Sequence, residues 1–265
     1  MDIGTISIRG RVRRRDEDSI LVMSEYINSD EGQQERCLLV LADGMGGAQR
    51  GEKASRIAIE AFKNSGKKLF NGDPANPVDV LQEALEEANS NIVEYARKNR
   101  INEIGTTVTA AYFDGEFLNV VNVGDSRTYI LNPEIPVSKT VDDSFVMELV
   151  LSGVISENAA RIHPRKNEIM RALGFDREVS SFVYKWRVFK NDSILLCCDG
   201  LWEPLSERMM LESIEVSRTA QIAVENMTYL ANEMDGTDNI SAILCRPGSG
   251  PEYSRFSRKQ TKSKK

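Results

Sequence analysis

Two periodicities alternate along the chain. Residues Ile3 to Ile8 switch between apolar and small polar side chains, as a strand with one covered face does. Ile20–Met23 and Cys37–Ala42 are unbroken apolar runs, short enough for strands and apolar enough to be buried on both sides. Then the period lengthens. Ala54, Ile57, Ala58, Ala61 and Phe62 recur at helical spacing, and so do Val80, Leu81, Ala84, Leu85, Ala88 and Ile92. Asn76-Pro77 supplies a cap and a first helical residue for the second of these helices. Thr106–Phe113, Phe117–Val123 and Thr128–Leu131 return to β-branched and aromatic runs, and the turns between them predict a meander of hairpins. Ser144 should cap a helix that runs through Leu151 and stops at Gly153. Strands are expected at Phe182–Phe189, Ile194–Cys198 and Ile240–Cys245. A helix is expected over Thr219–Met234, with Ile222, Ala223, Met227, Leu230 and Ala231 inward. Blocks of strands beside blocks of helices predict an α+β architecture in layers.

Composition narrows the chemistry. With 265 residues, the chain fits one large domain or two small ones. Its longest apolar run has six residues, far short of the roughly 18 that suggest a membrane span, and the N-terminal residues lack a secretory pattern. There is one histidine, His163, which excludes multi-histidine metal sites and mechanisms that need two imidazoles. Cys37, Cys197, Cys198 and Cys245 show no CxxC spacing and read as reduced core thiols of a cytoplasmic protein. The ligands of any metal must therefore be mainly oxygens, which favours hard ions such as Mg²⁺ or Mn²⁺. The net charge of −6 hides a division. Residues 247–265 carry six basic side chains and one acid, so the body of the protein stands at −11. That basic tail opens on Pro247-Gly-Ser-Gly-Pro251, has almost no apolar content, and is expected to lie outside the fold without order.

The acids fall at telling places. Asp114-Gly115, between two alternating strands, is a hairpin turn. Asp43-Gly44 and Asp199-Gly200 instead follow the apolar runs Cys37–Ala42 and Ile194–Cys198, where a carboxylate must be paired, shifted in pKa or bound to a cation. Glu17-Asp18, Asp125 and Asp238 also sit at predicted strand ends. If these ends converge, the result is an oxygen-rich cleft suited to two divalent ions and to in-line attack on phosphorus. Arg9, Arg11, Arg13, Arg14 and Arg15 immediately precede Glu17-Asp18. They read either as a solvated or nucleic-acid-facing run, or as the source of a phosphate-gripping guanidinium.

Eight motifs in order carry a family resemblance. They are Val12-Arg13-Arg14-Arg15-Asp16-Glu17-Asp18, Ala42-Asp43-Gly44-Met45-Gly46-Gly47, Gly105-Thr106-Thr107, Val123-Gly124-Asp125-Ser126-Arg127, Asp142-Asp143-Ser144, His163-Pro164-Arg165 with Arg171-Ala172-Leu173-Gly174, Cys198-Asp199-Gly200-Leu201, and Asp238-Asn239-Ile240. From Thr5 to Arg246 the sequence resembles the metal-dependent serine/threonine protein phosphatases of the PPM (type 2C) family, in their bacterial form. The resemblance implies a catalytic domain over residues 1–246 built as a central antiparallel β-sandwich with helices on both outer faces, four layers in all. It implies two Mn²⁺ or Mg²⁺ ions and a weaker third. Asp43 would bridge the pair with help from the Gly44 carbonyl, Glu17 would serve one ion, and Asp199 and Asp238 the other. Asp125 and Asp199 would hold the third. Asp18 would orient the attacking water, and Arg13 would bind the substrate phosphate.

Three departures accompany these matches. Asp16 stands where Asn is usual, Asp143 where bacterial members commonly have His, and Met45 where eukaryotic members have a histidine proposed as general acid. The resemblance further implies phosphorylated protein substrates shared with a cognate Ser/Thr kinase, a monomer, and no nucleic-acid partner. The rival reading is a pseudophosphatase that binds phosphoproteins without turnover. A nucleotide-binding phosphotransferase is disfavoured, because Gly44–Gly51 matches neither GxGxxG nor GxxxxGK[ST].

Overall fold

The run Cys37–Ala42 shows how the layers arise. Cys37, Leu39 and Leu41 pack into one apolar cluster, while Leu38, Val40 and Ala42 pack into another. All six are fully buried, because successive side chains of a strand point to opposite faces and here both faces are covered. A computed structural model describes residues 1–29, 32–46, 50–71, 76–248 and 261–264. In chain order the elements are β1 (Asp2–Ile8), β2 (Ser19–Ser29), β3 (Gly32–Ala42), β4 (Gly44–Met45), α1 (Arg50–Phe70), α2 (Pro77–Asn99), β5 (Gly105–Thr106), β6 (Val108–Phe113), β7 (Phe117–Val123), β8 (Arg127–Asn132) and β9 (Ile135–Lys139). They continue as α3 (Phe145–Leu151), α4 (Glu157–Arg161), β10 (Phe182–Arg187), β11 (Ser193–Cys197), α5 (Asp199–Trp202), α6 (Glu207–Val216), α7 (Ala220–Met234), β12 (Ile240–Arg246) and β13 (Thr261–Lys264).

Two antiparallel sheets face each other. One runs β1-β12-β11-β8-β9, the other β13-β10-β7-β6-β3-β2, and β4 and β5 pair separately. Between the sheets lie Leu39, Leu41, Val120, Ile130, Leu196 and Ile243. Ala54, Ala58, Phe62, Leu81, Leu85 and Ile92 of α1 and α2 cover the outside of the six-stranded sheet. Leu201, Met210, Ala223, Val224 and Met227 of α5, α6 and α7 cover the other sheet. This is the four-layer α-β-β-α arrangement.

Local signals act as read. Asn76 Oδ1 accepts from Val78 N at 3.2 Å, and Ser144 Oγ accepts from Met147 N at 3.3 Å, so both caps form. Asp114 Oδ1 accepts from Glu116 N and Phe117 N at 3.0 and 2.7 Å, closing the predicted hairpin. Other details differ from expectation. The run expected as Thr106–Phe113 is divided, since Thr106 turns away to pair with Gly44. Ile222 of α7 is 41% exposed, because the covered stripe passes through Ala220, Ala223, Val224 and Met227 and leaves Ile222 off its edge. The pattern gave no sign of β9, whose Pro136 is tolerated on the outermost strand of its sheet. Nor did it show α4, α5 or α6. Within the basic tail, Thr261–Lys264 pairs with Phe182–Lys185 of β10. Backbone pairing of that kind needs no apolar side chains, so composition does not announce it.

Candidate metal centre

Strand ends bring the acids together. Ser19 pairs with Ala42, so Asp18 and Asp43 lie one step beyond the same end of the β2–β3 pair. Cys197 pairs with Ala242, which puts Asp199 and Asp238 at the corresponding end of β11 and β12. Asp125 follows β7 at the end where Val123 pairs with Val108. Arg13, Glu17, Asp43, Gly44, Asp125, Asp199 and Asp238 line one cleft of about 610 Å³. Asp18 is buried and does not line it.

Motif residues to which the sequence gave no role hold this geometry. Thr107 N and Thr106 Oγ1 both donate to the Asp43 carbonyl, at 2.9 and 2.8 Å, and Asp43 N donates to Thr107 Oγ1 at 3.3 Å. Asn239 is the larger omission. Its Oδ1 accepts from Glu17 N at 2.9 Å, and its Nδ2 donates to the carbonyls of Arg9 and Arg15 at 3.0 and 2.8 Å. One amide thus fixes the arginine loop and Glu17 beside Asp238. Two glycines permit close approach of backbones. A Cβ on Gly44 would lie 2.3 Å from the Gly51 carbonyl oxygen, and one on Gly200 would lie 2.0 Å from that of Asn239.

The cleft floor is electrostatically unfinished. Neither Asp18 oxygen, nor Asp199 Oδ1, has a hydrogen-bond partner of good geometry among the described residues. Burial pushes the carboxyls of Asp18 and Asp199 up to about 7, with repulsion from Asp16 on the first and from Asp238 on the second. Asp43 and Asp125 are also raised well above the usual carboxylate range, chiefly by burial and then by their acidic neighbours. Glu17 is raised by burial, partly offset by Arg13. Carboxylates from Asp43 and Asp199 and the Cys198 thiol come within 4.8 Å of one another. Cys198 is not available as a ligand: burial and three aspartates raise its pKa, and its sulfur already accepts from Ser241 N at 3.1 Å and donates to the Asn239 carbonyl at 3.4 Å. The ligands on offer are therefore carboxylate oxygens, and the donor set fits hard divalent cations.

Arg13 reaches the cleft and donates to Asp238 Oδ2 at 2.6 Å. On the side of Asp125, Trp202 Nε1 donates to its carbonyl at 2.9 Å, and the Arg127 guanidinium stacks 3.3 Å from the Trp202 ring centre. Arg127 also grips Asp142 bidentately, at 2.7 and 2.6 Å. The departures are accommodated. Asp16 accepts from Ser7 Oγ at 2.5 Å and from Asp18 N at 3.1 Å, a role that needs only acceptors. Asp143 accepts from Gly124 N at 3.2 Å and from Arg171, which ties the residue before Asp125 to the far wall of the cleft. His163 does not line the cleft; its Nδ1 accepts from Arg165 N at 3.1 Å.

A family model described as protein phosphatase 2C matches residues 22–235. The chain belongs to the protein phosphatase 2C (PPM) family. It is a metal-dependent serine/threonine protein phosphatase of the bacterial type. Among its relatives, the serine/threonine phosphatase stp of Listeria innocua is 35% identical over 240 residues, 89% of this chain and 92% of the relative. PstP of Mycobacterium tuberculosis is 34% identical over 238 residues, covering 90% of this chain and 43% of that protein. The crystal structure of M. tuberculosis PstP matches with a TM-score of 0.79 at 32% identity, covering 95% of this chain and 98% of that one. A structure of the PstP catalytic domain in complex with two manganese ions matches at 0.76 and 32% identity, over 91% and 96% of the two chains. In this phosphatase, no helix among the described residues is long and apolar enough to cross a membrane.

Proposed function

We propose that Glu17, Asp43, the Gly44 carbonyl, Asp199 and Asp238 hold two Mn²⁺ or Mg²⁺ ions, with Asp125 and Asp199 available to a weaker third. The observation that carries this reading is the set of buried carboxylate oxygens, both of Asp18 and Oδ1 of Asp199, that have no hydrogen-bond partner of good geometry among the described residues. Such groups are costly unless a cation completes them. Bound divalent ions polarise phosphoryl oxygens and lower the pKa of water. The protein's own part is positional. Asp18 accepts hydrogen bonds from water drawn to the cluster and sets its direction. Arg13 leaves Asp238 to donate to the phosphate oxygens of the substrate, where its fork matches two acceptors. The one histidine is outside the cleft and Met45 lines it, so no imidazole protonates the leaving serine or threonine oxygen. That proton comes from water.

The substrates are phosphoserine and phosphothreonine proteins modified by a cognate kinase, and the setting is a cytoplasmic monomer. Residues 1–246 form the catalytic domain, with 247–265 as a basic extension. A pseudophosphatase would have no use for so costly a floor. The test is phosphate release from a phosphothreonine peptide with Mn²⁺, together with calorimetric titration of Mn²⁺ into the metal-free protein. Asp43→Asn should lower turnover by at least about 10²-fold and weaken Mn²⁺ binding. Undiminished turnover, or Mn²⁺ affinity equal to that of the parent protein, would sink the assignment.

A further inference from the structure

The loop from Arg9 to Arg15 holds five arginines in seven residues, and the site described above uses only Arg13. Its backbone is fixed at several points. Asn239 Nδ2 binds the carbonyls at both ends of the loop, Arg9 and Arg15, and Arg11 N donates to the Gly236 carbonyl at 2.7 Å. Gly10, at φ 72°, lies so near Asp238 that an added Cβ would come within 2.1 Å of its carbonyl oxygen. Three guanidiniums are engaged. Arg11 donates to the carbonyls of Glu233 and Asp235, Arg13 to Asp238, and Arg15 stands 3.8 Å from Glu52. Arg9 and Arg14 are exposed, and among the described residues neither has an anionic partner. Two exposed guanidiniums with no anionic partner among the described residues therefore stand on the same anchored loop that carries Arg13 into a cleft whose substrate is an anion.

We propose that Arg9 and Arg14 form a recognition surface for Asp and Glu side chains flanking the phosphorylated residue of the substrate. The proposal rests on the phosphatase reading and deepens it. Each guanidinium offers a planar fork that fits a carboxylate, and a backbone already fixed by Asn239 has little ordering entropy left to lose on binding. The surface lies outside the metal floor, so it selects among phosphoproteins without taking part in the chemistry. Its pull on an acidic segment is a rim effect between exposed charges, and salt should screen it.

The experiment compares Mn²⁺-loaded protein on three phosphothreonine peptides of equal length, flanked by Glu, Ala or Lys. Turnover of para-nitrophenyl phosphate, which has no flanks, is measured alongside in the unmodified protein. Two such contacts should give about a fivefold to tenfold preference in kcat/KM for the Glu peptide over the Lys peptide, carried by KM. The preference should shrink in 0.5 M NaCl, fall to about one- or twofold in the Arg9→Ala/Arg14→Ala double variant, and reverse in Arg9→Glu/Arg14→Glu. Each ratio is taken within one protein preparation, so a partly folded variant does not distort it. An equal preference in parent and variants, or none in the parent while para-nitrophenyl phosphate is hydrolysed, overturns the proposal and leaves the catalytic reading intact. Failure to hydrolyse any of the four compounds overturns both. Binding of single-stranded RNA that is lost in the double alanine variant, with no discrimination among peptides, assigns the surface to nucleic acid and also overturns it.

Discussion

Asp142 and Asp18 are the same residue type at nearly the same depth, 6% and 9% exposed, yet the protein treats them in opposite ways. Asp142 receives both arms of the Arg127 guanidinium, which in turn donates to Tyr129 and lies on Trp202. Among the described residues Asp18 receives no cation, and its neighbours Asp16 and Asp199 add negative charge. The first arrangement is complete within the chain and serves to join β8 to the segment ahead of α3. The second is complete only when something positive arrives. Buried acids with their own cation mark structure here, and buried acids without one mark the place of work.

The comparison can be broken most severely from the Arg127 side. Arg127→Met leaves Asp142 buried beside no cation and should cost about 3–5 kcal/mol of stability in urea unfolding. A loss under 1 kcal/mol would mean that Asp142 was never dependent on its partner. Next in size is the response to metal. At an Mn²⁺ concentration about 100 times its dissociation constant, stability should rise by about 2.7 kcal/mol, or about 5–10 °C in Tm for a domain of this size. Asp199→Asn should remove most of that rise while leaving the metal-free Tm almost unchanged. An identical rise in the variant would contradict the assigned ligands.

The pH dependence of the metal-free protein has a definite sign. Asp18 and Asp199 ionise near 7 in the folded protein and near 4 when unfolded. Between those values the folded state holds protons that the unfolded state has released, so stability falls as pH rises from about 4 to about 7. Metal needs the ionised carboxylates, and the Mn²⁺-induced gain in Tm should grow across the same interval. Thermal melts in EDTA that are level or rising across this range would refute the account. Smallest is Asp18→Asn, which removes a buried charge but keeps the shape. It should stabilise the metal-free protein by about 1 kcal/mol at pH 8 and lower turnover with Mn²⁺. A metal-free loss as large as that of Arg127→Met would erase the distinction between the two aspartates.

The layers were legible because burial on two faces leaves a continuous apolar run, as in Cys37–Ala42, while burial on one face of a helix leaves a 3.6-residue period. The acids of the site were legible for a related reason, since a carboxylate directly after such a run demands an explanation. The clamp made by Asn239 was not. Its contacts reach Glu17 across 222 positions, and an Asn before a strand has the same appearance whether it binds solvent or three backbone groups far away in sequence. Cys198 read as a core thiol, and so it is, although its sulfur also abuts the metal floor. Ile222 was misplaced because α7 buries a stripe rich in alanine, which a search for large apolar residues passes over. Elements such as α5, at four residues, are set by tertiary contacts and leave no period to read.

The place of β1 in its sheet sets an order of events during synthesis. Its hydrogen-bonded neighbour is β12, with Ile8 opposite Ile240 and Asp2 opposite Arg246. β1 therefore waits, once synthesised, for more than 230 further residues before it has a place, and pairing at such separation in sequence is slow. Asp238 and Asn239, which complete the cleft and hold Glu17, arrive only with that late strand. A nascent or prematurely terminated chain thus carries most of the acids and none of the assembled site. On the proposed assignment of Asp238 to the metal centre, phosphate hydrolysis is withheld until translation has passed β12.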